Sequence, residues 1–475
     1  MKNLINFNMK SIVRKSLNFL FVFFCLNAQA EIWLPSILSD NMVLQQKSEA
    51  TIWGWTTVPN EEIVVTGSWN NKSIAVKAYQ GIWSLKLPTP IAGGPYKITI
   101  KGHEKHVLKN VLIGEVWLCS GQSNMEWTPS NGIDNAAEEI KNSTYSNIRF
   151  FTVPKHTSNY PQDNSYGEWK ESSPETMKNF SAIGYFFGRK LHKKLGIPIG
   201  LINSSWGGTN IEVWIPKDVI KQAPALIKSM EKVSEQSWWP HYEGVAYNAM
   251  IYPLKNFNIA GTIWYQGESN RTNAAYYHQA FSMMINSWRD DWKKDFPFYF
   301  AEIAPFNYNS KTNIEAALIR EAQLKTMQTV KNTGMVVTND IGNLKNIHPS
   351  NKQEVGRRLA LWAMAKTYGV KNIGFSSPIF KSLKIENKKA IITFDFVGEG
   401  LKLKGKEAKE FFIAGEDRKF YPAKAKIKGD KVELRSNKVK KPVAVRFAFT
   451  ETAQPNLYNS YGLPAAAFRT DNWKE

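Results

Sequence analysis

Val111-Leu-Ile-Gly-Glu-Val-Trp-Leu-Cys-Ser-Gly-Gln-Ser-Asn-Met-Glu-Trp127 runs an apolar stretch straight into a small, polar turn. Residues 111–118 read as a buried strand, and the turn at its carboxyl end displays Ser123. Open parallel sheets place their reactive groups at such ends. Two further apolar strands also finish on polar turns. Ile199-Gly-Leu-Ile-Asn-Ser204 leads into Ser205-Trp-Gly-Gly-Thr209, and Gly261-Thr-Ile-Trp-Tyr265 leads into Gln266-Gly-Glu-Ser-Asn270. A lone serine beside a glycine is usually an ordinary turn. Three polar strand ends that a parallel sheet would gather at one edge single Ser123 out.

Outward from this strand, residues 111–370 alternate buried strands with helices, one of them near 274–292. This predicts a three-layer α/β/α domain with a parallel sheet covered on both faces. Residues 31–110 carry short alternating strands at 51–55, 63–66, 83–87 and 96–100, with Asn70-Asn71 and Gly93-Gly94-Pro95 as turns, the pattern of a small β-sandwich. Strand-like segments return in 371–475, at 383–385, 390–396, 431–434 and 443–449. The α/β region is therefore flanked by β-sandwich-like regions. The chain's 475 residues suit about three domains.

Residues 1–30 have the form of a secretory signal peptide: a basic start, an apolar core at 17–26 and a small-residue Ala28-Gln-Ala30 cleavage site. Val22-Phe-Phe before Cys25 is too bulky for a good lipidation signal. Cleavage leaves Cys119 alone, so no disulfide forms within the mature chain. No later segment reads as a membrane span, and a secreted or periplasmic protein is expected. The net charge is +20. Its lysines are spread through the chain, dense in the last hundred residues, and lack a basic-aromatic pattern, so a solvated surface and no nucleic-acid partner are expected. Seventeen tryptophans are many, and indole faces are a common surface for sugar rings.

A serine hydroxyl needs an adjacent base to become a nucleophile. His348, in Asn346-Ile-His-Pro-Ser-Asn-Lys-Gln353, is the best placed. Ser350 and Gln353 have the spacing of a capping box, opening a helix over 351–368 with Val355, Leu359 and Trp362 inward. The positive helix end would keep the imidazole neutral, as a base requires. Candidate oxyanion donors are the Ser123 N–H, the N–H of Gly207 or Gly208, and the side-chain amide of Gln266 or Asn270. The string Gly121-Gln-Ser-Asn-Met125 lacks the final glycine of a lipase-type elbow. No His/Asp group has metal-ligand spacing. Neither a metal nor another cofactor is expected.

The strings GQSNMEW, SSWGGTNIEVW, WYQGESN and IHPSNKQEVGRRLALWA resemble the sialate O-acetylesterase branch of the SGNH, or GDSL-like, hydrolases. LPSILSDNMVLQQ near the start and NLYNSYGLPAAAFRTDNW near the end extend the resemblance over essentially the whole mature chain. It implies a flavodoxin-like catalytic domain, a metal-free serine esterase mechanism and O-acetylated sugars as substrates. By matching motifs, Ser123 is the nucleophile and His348 the base. Gly207 or Gly208 and Gln266 complete the oxyanion hole, and Glu268 anchors its loop. One departure stands out. The family carries Asp two or three residues before its histidine, where this chain has Asn346 and Lys345. Asp340 is the nearest upstream acid and the candidate to orient His348; without it the site is a Ser-His dyad. Two other readings remain open. One changes the glycan to acetylated xylan or another plant polysaccharide, since a sialic acid carboxylate favours a positioned Arg, for which Arg271 is the candidate. The other is a non-catalytic sugar-binding protein with Trp206, Trp214, Trp238 and Trp239 as stacking platforms. The sequence leaves oligomeric state undetermined.

Overall fold

The central strand is longer than its apolar core. In the computed structural model, which describes residues 31–473 except Ser234 and Gln236, strand β1 spans Lys105–Gly121. The expected signal peptide lies outside the described residues. The first six residues of β1 are mostly exposed or half-buried, and as far as Gly114 the strand pairs with residues 93–101 and 43–45. From Val111 every residue is buried, as befits a strand covered on both faces. The border expected at 110 falls inside this strand. The strand changes partners between Gly114 and Glu115, where residues 199–205 begin to pair with it, and the described residues form a continuous eleven-stranded sheet across that point.

The catalytic half of the sheet adds β2 (Tyr145–Thr152), β3 (Trp169–Ser172), β4 (Ile199–Ser205), β5 (Gly261–Tyr265), β6 (Phe298–Ala301) and β7 (Thr333–Val336). Their order is β3-β2-β4-β1-β5-β6-β7, with only the β3 edge antiparallel. Without the two edge strands β2 and β3, this is the flavodoxin-like order, with its switch point between β1 and β5. Side chains alternate between the faces. Ile263 and Tyr265 pack with Trp117, Cys119, Leu359 and Trp362, whereas Trp264 packs with Phe281, Met284, Trp288 and Phe298. Helices therefore cover both faces.

Five helices matter for the site. Helix α1 is the single turn Ser123–Glu126, α2 spans Ala182–Leu195, α3 Ala274–Trp292, α4 Glu315–Thr329 and α5 Lys352–Trp362. The expected inward residues of α5, Val355, Leu359 and Trp362, are buried. Its start differs from the capping box expected at Ser350. Asn351 is the cap, and its side chain accepts the Glu354 N–H at 3.0 Å. Gln353 instead donates to the Asp134 carbonyl. The helix begins one residue later, with Asn351 at φ −75° and ψ 67° as the last non-helical residue and its side-chain oxygen as the cap.

In residues 31–104 a separate three-stranded sheet, through Ile52 and Trp83, shares a core with the N-terminal strands of the large sheet, through Ile63, Val65, Ile98 and Ile100. The C-terminal strands Ile379–Glu386, Lys389–Asp395, Lys431–Arg435 and Ala444–Phe447 match the expected positions to within a few residues. They enclose their own core around Ile392, Phe394, Val432 and Phe447. Arg469 forks onto Glu321 of α4 with two 2.8 Å bonds, tying this region to the catalytic layer.

Gly121 ends β1 at φ +134°, and a Cβ there would lie 2.2 Å from the Tyr265 carbonyl oxygen. Gly121→Ala must therefore strain the backbone and spread β1 from β5. The expected cost is about 2–4 kcal/mol, read as a lowered thermal midpoint. An unchanged midpoint would contradict this close approach.

Candidate active site

Backbone bonds stitch the three polar strand ends together. The Trp206 N–H donates to the Gly121 carbonyl at 3.0 Å, and the Gln122 N–H donates to Tyr265 at 2.9 Å. The Gly267 N–H reaches the Gln122 side-chain oxygen at 3.1 Å. Ser123 opens α1 directly above this junction, and His348 Nε2 lies 2.9 Å from Ser123 Oγ. The sequence-predicted pair is in hydrogen-bond contact across 225 residues of chain.

His348 rests on a loop folded by two asparagines. Asn343 Oδ1 accepts the N–H groups of Lys345 and Asn346 at 2.9 and 3.2 Å, and Asn346 Oδ1 accepts the His348 N–H at 2.9 Å. These short turns use asparagine for its local side-chain acceptor. The Trp127 ring stacks on the imidazole, with centroids 4.0 Å apart and planes 17° from parallel. Trp127 is itself fixed by its indole N–H on the Gly132 carbonyl at 2.8 Å.

Below the pair lies a buried polar bridge. Asn124 Nδ2 donates to Glu268 Oε1 at 2.7 Å and to the Ile347 carbonyl at 3.1 Å, and Lys352 Nζ donates to Asn124 Oδ1 at 2.5 Å. All three side chains are buried. Burial raises the Glu268 carboxyl pKa above its ordinary range. It pushes Lys352 down to about 7, although Glu268 pulls the other way. Burial, reinforced by the Lys352 ammonium, lowers His348 from 6.5 to about 4. The imidazole is thus neutral at pH 7, as expected, but its own burial and Lys352 account for this.

Asp340 does not orient His348. Both its oxygens are held by the Arg358 guanidinium in 2.8 Å bonds, and Arg358 also binds Glu354 Oε1 and the Val337 carbonyl. A buried two-pronged pair of this kind outcompetes a neutral imidazole for the carboxylate. No described residue hydrogen-bonds His348 Nδ1, whether by carboxylate or by carbonyl. The heavy atoms form a Ser-His dyad.

The other candidates divide. The Ser123 N–H, at the start of α1, has no partner among the described residues. The Gly207 N–H is taken by Glu126 Oε2 at 2.6 Å, and Glu126 also pairs with Lys155 at 2.5 Å. A Cβ on Gly207 would sit 3.1 Å from Ser123 Cβ, so this turn lies against the serine. Gly208 follows at φ +80°, covered by the Trp239 ring. Gln266 is fully buried. Its amide hydrogens go to the Thr209 carbonyl and Asn270 Oδ1, and its oxygen accepts from Tyr277, so it has nothing left for an oxyanion. Asn270 is likewise internal, with its amide on both oxygens of Glu212 and its oxygen on the Ile211 N–H. Arg271 is committed to the Glu268 carbonyl, Glu315 and the face of Tyr308. Glu268 anchors the junction through Asn124. Trp206 is half-buried against the core, and Trp214 is fully buried with its N–H on Thr209 Oγ1, so Trp214 is no platform. Asn124, Glu126, Trp127 and Lys352 all lie inside the motifs, yet periodicity alone did not mark them, because a buried lysine and a loop amide carry no pattern.

A family profile described as carbohydrate esterase, sialic acid-specific acetylesterase, matches residues 113–365. The chain is 31% identical to the sialate O-acetylesterase of Pongo abelii over 91% of both chains. It is also 31% identical to that of Homo sapiens, over 80% of this chain and 79% of the human one. A solved carbohydrate acetylesterase from Xanthomonas citri superposes with a TM-score of 0.86 at 38% identity, covering 93% of this chain and all of that one. With the serine, histidine and glycine turns of these motifs assembled at one sheet edge, the chain belongs to the sialic acid-specific acetylesterase family of carbohydrate esterases, which are carboxylic-ester hydrolases.

Proposed function

We propose that the protein removes O-acetyl groups from carbohydrates with Ser123 as nucleophile and His348 as its base. The observation that carries this is the 2.9 Å contact between Ser123 Oγ and His348 Nε2 at the switch point of the sheet. Ser123 Oγ attacks the acetyl carbonyl carbon while its proton passes to Nε2. The oxyanion faces the Ser123 N–H at the positive start of α1, with the Gly208 N–H next along the facing turn. Collapse breaks the bond to the sugar oxygen, which leaves with the proton from Nε2. Water then attacks the acetyl-serine, passing its proton to Nε2, and acetate departs as Ser123 Oγ recovers it. The relatives' names support O-acetylated sialic acid as the substrate class. The leader pattern of residues 1–30 supports action outside the cytoplasm.

Acetate release from an aryl acetate tests the mechanism. Ser123→Ala and His348→Ala should each lower kcat at least about 10³-fold, and wild-type rates in both would sink it. Asn124→Ala, which frees the Ile347 carbonyl and so the His348 loop, should lower kcat about 100-fold. Retention of full turnover would mean that the bridge does not position the base.

Asp340→Asn separates the dyad from a triad. It leaves Arg358 buried with only part of its charge compensated, so thermal stability should fall, by about 3–5 kcal/mol. The folded enzyme should nevertheless keep kcat within a few-fold of wild type. A loss near 10⁴, as when an orienting acid is disabled in a serine protease, would restore Asp340 to the mechanism.

Because His348 is lowered to about 4, it protonates only below that pH, and the basic form is present above it. The acid limb of kcat/KM should therefore fall near pH 4. An acid limb near 6.5 would show an imidazole exposed to water rather than buried.

A further inference from the structure

Two loops form one rim of the site and carry a cluster of exposed aromatic rings. The Trp239 ring lies on Gly208, where a Cβ would come within 2.2 Å of its Cε3, and Gly207 touches Ser123 on the other side. Trp238 packs edge-on against Trp239 with centroids 5.6 Å apart, yet is itself 68% exposed. Tyr242, a few residues on, is exposed as well. The second loop starts at Lys155, whose ammonium holds Glu126 beside the serine. It runs along the helical turns that follow the first loop, through the Ser158 N–H on the Val245 carbonyl and the Gln162 N–H on the Asn248 carbonyl, both 3.0 Å. Tyr160, between those two bonds, is exposed too.

Exposed apolar residues scattered singly need no explanation, but several on one rim mark a binding surface. Their chemistry narrows the partner. An indole presents a broad, rigid face with negative charge density above the ring, and a pyranose offers a face of weakly positive C–H groups bordered by hydroxyls. When an acetyl group sits at Ser123, the sugar that carries it lies above the Gly207–Gly208 turn. Any further sugar joined to it on this side must leave the site over Trp239 and Trp238.

We infer that Trp238 and Trp239 form a stacking subsite for a sugar residue adjoining the acetylated one. The enzyme therefore prefers acetyl groups carried by an oligosaccharide chain to those on isolated sugars. This rests on the esterase reading and adds a chain-length preference to it. Trp239 is the inner wall, held by Gly208. Trp238 is the outer platform, with a side chain that contributes little to folding.

The test compares kcat/KM on acetylated xylotetraose with acetylated xylose, and on 9-O-acetylated sialyllactose with 9-O-acetylated N-acetylneuraminic acid. The wild type should favour the longer member of the pair it hydrolyses. Trp238→Ala should reduce that preference about tenfold through KM on the longer chain, and Trp238→Phe should keep most of it. A wild type indifferent to chain length, or a Trp238→Ala variant with the preference intact, overturns the subsite. Failure of the underlying esterase reading looks different: Ser123→Ala would then release acetate at the wild-type rate from long and short substrates alike.

Discussion

The side-chain amide of Asn124 joins the two halves of the site. Its nitrogen gives one hydrogen to Glu268 Oε1 and the other to the Ile347 carbonyl, while its oxygen accepts from Lys352 Nζ. Only an amide can face an anion, a carbonyl and a cation at once with every bond running the right way. An aspartate would set two carboxylates against each other in a dry interior. An alanine would leave Lys352 and the Ile347 carbonyl unpaired, and buried polar groups without partners are costly. Asn124 directly follows the serine and Ile347 directly precedes the histidine, so this one residue ties the Ser123 turn to the His348 loop.

That arrangement explains how the site manages without an acid beside its histidine. In a triad the carboxylate fixes the imidazole's orientation and stabilises its charge. Here orientation comes from the Trp127 ring stacked on the imidazole and from Asn346 on the His348 N–H. Asn346 stands where the family resemblance led one to expect Asp. It acts on the backbone of the histidine rather than on its ring. Asp340, the other acid within reach by sequence, is sequestered by Arg358 between β7 and α5. An ester leaving group asks less of the base than an amide does, which suits a neutral imidazole flanked by a buried ammonium.

Much of this was legible in the chain. The helix at 274–292 and the inward face of the helix after His348 follow from apolar periodicity, which burial enforces directly. Ser123 emerges because three strands end in polar turns and a parallel sheet has only one carboxyl edge, and His348 because it stands at a helix entrance within a family motif. What stayed hidden depends on tertiary contact. Gln266 and Asn270 read as free donors because a polar turn gives no sign that Thr209, Glu212 and Tyr277 will consume its amides. Lys352 drew no reading, because nothing local shows that its side chain turns inward to Asn124. That one strand carries the chain from the N-terminal strands into the catalytic sheet stayed hidden as well, because a strand's partners can change without any change in its backbone.

The central claim is that His348 acts without a carboxylate on Nδ1. Nitrogen-resolved NMR of the imidazole, in the full-length enzyme at neutral pH and on acidification, tests it most directly. The account predicts a neutral ring at pH 7 that takes its second proton only near pH 4, with an Nδ1 proton that exchanges freely with water. A strongly deshielded, exchange-protected Nδ1 proton, the mark of a hydrogen bond to a carboxylate, would contradict it.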